Sequence, residues 1–224
     1  MTDWTPLVLT FKLACITTFI LLIIGIPLAF WLSRTQSKIK PIIETIVTMP
    51  LVLPPTVLGF YFLIAFSPSN FFGSWLNETL GIQLLFSFPG LVIASVIYSL
   101  PFMVQPIQSG LRSISPSIVD AAYLMGKTKW ETLRFVQLPN IKASLLTGFV
   151  LSFAHTIGEF GVVLMIGGNI PGRTKVASIA IYDEVESMNY SAAHSYSLVL
   201  FSITFCILLA VYTMNRNQFK SFWK

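Results

Sequence analysis

Five stretches of this chain are each long and apolar enough to cross a lipid bilayer as a helix. A hydrocarbon core about 30 Å thick asks for roughly 20 apolar residues at the helical rise. Residues 7–32, 46–66, 84–104, 143–166 and 195–214 meet that requirement. They show no barrel-like alternation, so their backbone amides and carbonyls can be satisfied only within helices. The composition agrees: 54% of the 224 residues are hydrophobic and 10% are charged, against about 25% charged in an ordinary soluble domain. So thin a polar coat cannot cover a water-facing globule. The expected fold class is all-α and polytopic, with about five transmembrane helices in one domain covering 1–224 and a core of about 9–214.

The basic residues set the expected orientation. Eleven of the fourteen fall on one side of the five spans. Arg34, Lys38 and Lys40 follow the first span, and Arg112, Lys127, Lys129, Arg134 and Lys142 lie between the third and fourth. Arg216, Lys220 and Lys224 form the tail. The other side holds Arg173 and Lys175, with Lys12 near the outer end of the first span, where its stem can snorkel toward the headgroups. The positive-inside rule makes the richer side cytoplasmic, with the N-terminus expected outside and the C-terminus inside. The net charge of +5 is scattered in ones and twos with no basic helix face, so no nucleic-acid partner is expected.

Cys15 and Cys206 each sit inside an apolar run and are expected to be small buried hydrophobes, offering neither a disulfide framework nor a metal motif. The segment before Lys12 lacks the positive start of a secretory signal, and the first apolar run is too long for one, so it is expected to remain in the protein. In the outer loop, 167–194, Val176, Ile179 and Ala180 recur at helical spacing and predict a short interfacial helix. His194, at the outer boundary, is expected to be solvated.

The loop at about 105–142 is too long for a simple connection and too apolar for a free linker. Ser115 and Pro116 start a first short helix, which Gly126 ends. Thr128 can cap a second, with Glu131 completing a capping box, and Pro139 is expected to stop it. Across these helices run Asp120-Ala121-Ala122, then Gly126 after three residues, Val136 after nine more, and Leu138-Pro139. This order resembles the Glu-Ala-Ala loop of binding-protein-dependent ABC importers, with Asp for Glu at 120 and Val for Ile at 136. The resemblance implies the permease fold of type I ABC importers, and a coupling helix that docks on a separate ATPase subunit. Asp120, Ala121, Ala122, Gly126, Trp130, Phe135, Val136, Leu138 and Pro139 carry it. Trp130 and Phe135 are of the kind that anchors interfaces; they are equally suited to an aromatic belt at the lipid surface. Gly126-Lys127-Thr128 has the look of a phosphate-binding loop, but Tyr123, Leu124 and Met125 stand where small residues are needed and no strand precedes it. ATP and magnesium are therefore expected on the partner chain, with no cofactor or metal on this one.

Two further stretches bear on what passes through. In the second span Pro50, Pro54 and Pro55 break the helix ladder just before Thr56. At membrane depth such a backbone survives only against protein or a water-filled cavity. The fourth span carries Gly158-Glu159-Phe160-Gly161, followed by Gly167-Gly168-Asn169-Ile170-Pro171-Gly172. A carboxylate at the helix centre costs roughly 2.5–3.5 kcal/mol on insertion scales, so Glu159 should face protein. Leu53-Pro54-Pro55-Thr56-Val57-Leu58-Gly59 and the two glycine-rich strings resemble the molybdate and tungstate permeases, and less closely the sulfate permeases. The resemblance runs from about Leu9 to the last span. It implies an oxyanion path through two identical permease copies, served by two ATPase subunits and a periplasmic or lipid-anchored oxyanion-binding protein. Pro50, Pro54, Pro55, Thr56, Gly158, Glu159 and Gly161 are the candidate path or gate residues. Because a carboxylate repels a dianion, packing or gate structure suits Glu159 better than substrate contact, and His155, four residues earlier, is the expected partner. Arg173 and Lys175 can meet the binding protein or the oxyanion, or serve as ordinary surface charge.

An ion-coupled secondary transporter is the rival of another class. It would call for several deep ionisable residues and repeated broken helices; here only Glu159 lies deep and no internal repeat is visible. An intramembrane enzyme would need a catalytic constellation, and neither an HExxH string nor a comparable group occurs.

Overall fold

A computed structural model describes residues 3–219, with side chains as far as residue 213. Of the basic tail, Lys220 and Lys224 lie outside the described residues, as does the side chain of Arg216. Three helices are long and apolar enough to cross a membrane unbroken: α1 (Thr5–Arg34), α5 (Phe88–Ser113) and α12 (Tyr190–Phe219). α5 starts where Ser87 accepts the Gly90 amide at 3.3 Å, and it keeps going well past the expected end of its span. The first nine residues assigned to the connecting loop, 105–113, are therefore the last turns of α5. Ile107, Gln108 and Leu111 are buried there and keep those turns in protein contact.

The second and fourth spans are not continuous. α2 (Lys40–Thr48) runs into a 3₁₀ turn, Met49–Leu51, and the chain then bends by 110° into α3 (Pro55–Phe66). Pro54 and Pro55 lack the amides that would carry α2 onward. Twelve residues reach only about 18 Å as helix, so neither half crosses the bilayer alone. α9 (Lys142–Gly158) is interrupted after Gly158 and resumes as α10 (Gly161–Gly167). A short α4 (Phe71–Leu80) lies in the connection between α3 and α5, where no helix was expected. The predicted helix around Val176 is present as α11 (Ala177–Glu186), with one face packed against protein. Val176, Ile179 and Ala180 are all buried, and the Ala177 amide donates to the Thr10 hydroxyl of α1 at 2.8 Å.

The buried apolar side chains form two tiers. One gathers Leu13, Leu58, Leu91, Val162, Ile166 and Ile179; the other gathers Leu21, Leu32, Met103, Ile107, Leu133 and Ile141. Between them, on α1, α5 and α9, lie the buried hydroxyls of Thr17, Thr18, Ser95, Ser99, Ser152 and Thr156. Apolar side chains gain nothing by leaving lipid for a protein interior, so contact here depends on close fit and small residues. Met103 shows that fit. A Cβ on Gly25 of α1 would lie 2.8 Å from its Cγ, and one on Gly148 of α9 would lie 3.1 Å from its carbonyl oxygen.

The two ends of the bundle are tied differently. At one end the Arg34 guanidinium donates to the Tyr123 hydroxyl at 2.7 Å, and Gln108 and Arg112 both donate to Glu44 at 2.6 Å. At the other, Lys175 pairs with Asp183 at 2.6 Å, Asn169 donates to the same carboxylate, and Lys12 lies 4.9 Å over the Phe88 ring. Lys12 thus has a protein partner beside the headgroup role expected for it. Cys15 and Cys206 are exposed, against expectation, because in an apolar helix the face that meets lipid is as apolar as the face that meets protein. His194 is exposed, as expected.

Gly148→Leu should drive α9 off α5 and cost about 1–3 kcal/mol through overpacking. A lowered melting temperature of the purified protein, against an unchanged value for Cys206→Ser on the exposed side of α12, would measure it.

Candidate functional site

The interruptions in the second and fourth spans meet in space. A Cβ on Gly161, the first residue of α10, would lie 2.7 Å from the Pro55 Cβ, the first residue of α3. Only a glycine lets the two helix starts come this close. One turn on, a Cβ on Gly59 would fall 2.8 Å from the Met165 Cβ, so α3 and α10 stay in close contact as they leave the junction. Beside this junction is a cavity of about 560 Å³. Five of the seven candidate path residues line it: Pro55, Thr56, Gly158, Glu159 and Gly161. Pro50 is buried in the 3₁₀ turn and Pro54 precedes α3; neither reaches the cavity, and both shape the bend that forms it.

Glu159 sits in the interruption itself, with extended backbone (φ −68°, ψ 130°), rather than within a helix as expected. It is 4% exposed. Its carboxylate Oε2 accepts a hydrogen bond from Ser95 of α5 at 2.9 Å, and its carbonyl accepts one from Ser178 of α11 at 2.7 Å. Oε1 has no hydrogen-bond partner among the described residues. The expected pairing with His155 does not form. His155 Nδ1 lies 2.9 Å from the Ser99 hydroxyl, and its ring stacks on Phe102 with centroids 4.1 Å apart. Loss of the helix after Gly158 removes the one-turn relation that would have brought the two side chains together. Ser95 and Ser99, one turn apart on α5, instead receive one each.

Tyr98 and Met165, which the sequence had not singled out, also line the cavity, as does His155, expected only as the partner of Glu159. Tyr98 lies four residues from Ala94, which packs in the tier of Leu13, Leu91 and Ile166, and this spacing is the pattern that would have pointed to it. Among the described residues no Lys or Arg lines the cavity. Thr56 and Tyr98 bring hydroxyls to its wall, and no side chain there is arranged as a nucleophile with its base.

The connecting loop forms a second feature at the Arg34 end. α6 (Pro116–Leu124) ends at Gly126, whose φ of +80° suits glycine. The capping box is present: Thr128 Oγ1 accepts the Glu131 amide at 3.3 Å, and the Glu131 carboxylate accepts the Thr128 amide at 2.8 Å. That backbone bond holds the Glu131 carboxyl below its ordinary range. From Lys129 the chain runs through α7 (Lys129–Glu131), a π-turn over Thr132–Gln137 and α8 (Leu138–Asn140). Pro139 does not end it; the helix continues one residue further, and a bend of 80° follows at Ile141 before α9. Asn140 caps from the side, its amide donating to the Val136 carbonyl at 2.7 Å.

Within this loop Ala122 is buried, Val136 and Leu138 are half-buried, and Asp120, Ala121, Gly126, Phe135 and Pro139 are exposed. Trp130 is 65% exposed and turns toward α1, with its ring 6.2 Å from that of Phe30. The most prominent apolar side chains at the corner are Leu124, 89% exposed, and Met125, 73% exposed. They were read only as filling a false phosphate loop. Apolar residues at the end of a short helix, just before a left-handed glycine, mark a projecting tip. Thr128→Ala should loosen the segment by about 1 kcal/mol, seen as faster amide exchange over 128–137 with α5 unchanged.

The chain matches, over residues 21–222, the family described as the binding-protein-dependent transport system inner membrane component. It is 46% identical over 217 residues to the molybdenum transport system permease protein of Azotobacter vinelandii, covering 96% of this chain and 95% of that one. It is 30% identical over 192 residues to the sulfate transport system permease protein of Escherichia coli strain K12, covering 86% of this chain and 69% of that one. Its fold is similar to that of a bacterial alginate ABC transporter crystallised with a periplasmic protein bound to an alginate pentasaccharide. That match has a TM-score of 0.79 and 19% identity, covering 96% of this chain and 79% of that one. This all-helical, multi-pass chain therefore belongs to the inner membrane component family of binding-protein-dependent transport systems.

Proposed function

We propose that the chain is the permease subunit of an ATP-driven molybdate importer in a bacterial inner membrane, with its N-terminus outside and its C-terminus in the cytoplasm. One observation carries the substrate: 46% identity over nearly the whole length to a molybdenum permease, against 30% over a shorter span to a sulfate permease. Two copies enclose the path, two ATPase subunits dock at the loop corners, and a periplasmic or lipid-anchored protein delivers the oxyanion. ATP and magnesium belong to the ATPase, and the permease itself supplies no bond chemistry.

The cavity's charge is in keeping with such a division of labour. Among the described residues it holds no Lys or Arg to trap a dianion, and the start of α3, where Pro54 and Pro55 carry no amide hydrogen, adds little positive field. A passage works when its contacts are favourable enough to enter and weak enough to leave; tight capture belongs to the binding protein. Alternating access follows if ATP binding moves the α6 corner and hydrolysis returns it, each partner favouring one of two bundle states. In this reading Asp120, Ala121, Gly126, Leu124 and Met125 meet the ATPase, and Trp130 braces the corner on α1.

The test is uptake of labelled molybdate by cells lacking their own molybdate and sulfate importers, supplied with this chain, its ATPase and its binding protein. ATP-dependent uptake that yields to tungstate and ignores excess sulfate is expected. Competition by sulfate would move the substrate to sulfate, and no oxyanion uptake by the assembled system would sink the substrate reading. Leu124→Asp with Met125→Asp should weaken co-purification of the ATPase at least thirtyfold, as losing an interface anchor does, with the permease still in the membrane. Gly161→Val should abolish most uptake while ATPase co-purification stays normal, because the side chain wedges α3 from α10 without touching the corner.

A further inference from the structure

A second cavity, of about 550 Å³, opens between the end of α1 and the start of α7. Phe30, Trp31, Arg34, Thr35, Lys129 and Trp130 line it. Arg34 and Lys129 bring two positive charges, and neither has an ion-pair partner among the described residues. No carboxylate lines the cavity, and the nearby Glu131 is turned away to cap Thr128. Arg34 is held in place: its guanidinium lies 5.0 Å over the Phe30 ring and donates to the Tyr123 hydroxyl. The pocket is therefore preorganised for an anion, and two tryptophans stand at its mouth.

The surface leading into it is apolar. Phe19, Ile23, Pro27 and Trp31 follow one another at four-residue intervals on α1, and all four are exposed. That spacing makes one continuous stripe. It is about 18 Å long at the helical rise, close to the roughly 15 Å hydrocarbon depth of one leaflet. A free anion would use the pocket and have no need of the stripe. A phospholipid uses both: phosphate between Arg34 and Lys129, glycerol against the tryptophans, one acyl chain along Phe19 to Trp31.

We propose that this is a binding site for an anionic phospholipid, which ties the α6–α8 corner to α1. Basic pockets at helix ends, with aromatic side chains at the interface, fit such headgroups. The proposal rests on the orientation above only in assigning the lipid to the cytoplasmic leaflet.

The test uses the assembled permease–ATPase complex, equilibrated with mixed phosphatidylglycerol and phosphatidylcholine and read by native mass spectrometry for retained lipid. The wild type should retain phosphatidylglycerol in preference. Arg34→Gln with Lys129→Gln should lose that preference by roughly thirtyfold, two surface cations' worth of attraction. Lys129→Gln alone, which leaves the Arg34–Tyr123 bond intact, should lose an intermediate share and guards against a folding defect. Equal retention by wild type and both variants would overturn the proposal. So would displacement of the lipid by inorganic phosphate alone, which would mean an anion site indifferent to chains. A reporter fused to the C-terminus and found outside would sink the orientation while leaving the lipid preference measurable, so the two failures are distinguishable.

Discussion

A backbone that leaves the helix inside a bilayer must find its hydrogen bonds from neighbouring side chains, because the lipid offers none. In this chain that demand falls on residues 158–160. Ser178 of α11 answers it at the Glu159 carbonyl, and Ser95 of α5 serves the carboxylate of the same residue. The same two bonds explain why α5 carries serines in an apolar run and why α11 is buried. α11 in turn is held by Thr10 of α1 through the Ala177 amide. The cavity wall is thus fastened to two spanning helices through hydroxyl groups, each contributing about 1 kcal/mol net but costing more if left unpaired.

The cavity and the loop corner are two ends of one stretch of chain. From Gly126 the polypeptide passes through α7, the π-turn and α8, bends at Ile141, and rises as α9 to Gly158. No flexible linker intervenes. Leu133 and Ile141 anchor the lower part of that stretch in the same apolar tier as Met103, while its upper end reaches the hydroxyl belt. A displacement at the corner therefore reaches the cavity through packed helix, and Gly148 against Met103 is where α9 bears on α5 as it does so.

Much of this was legible in the residues. Apolar runs marked the spanning segments, although three are unbroken helices and the number reaches five only when each bent pair counts as one span; the capping box at Thr128 and Glu131 and the turn at Gly126 were readable because their chemistry is local. Pro55 and Thr56 were singled out for irregular backbone at membrane depth, and Gly158, Glu159 and Gly161 for a carboxylate in an apolar span and the glycines around it; the five share one cavity. What failed was contact across elements. The partner of Glu159 was sought one helical turn away, but the turn is absent, and the partner lies on α5. Exposure of Cys15 and Cys206 was likewise hidden, since hydropathy cannot tell a lipid-facing side of a helix from a protein-facing one. Leu124 and Met125 went unnoticed because their importance comes from projecting at a corner.

The placement of those two cysteines has a practical side. Neither thiol fills space in either apolar tier, and neither belongs to the cavity or the corner. A variant with serine at both positions should keep this chain's own packing intact. That would give a silent background in which a single thiol placed at Thr56, or at Met125, reports the opening of the passage or the arrival of a partner without competing signal.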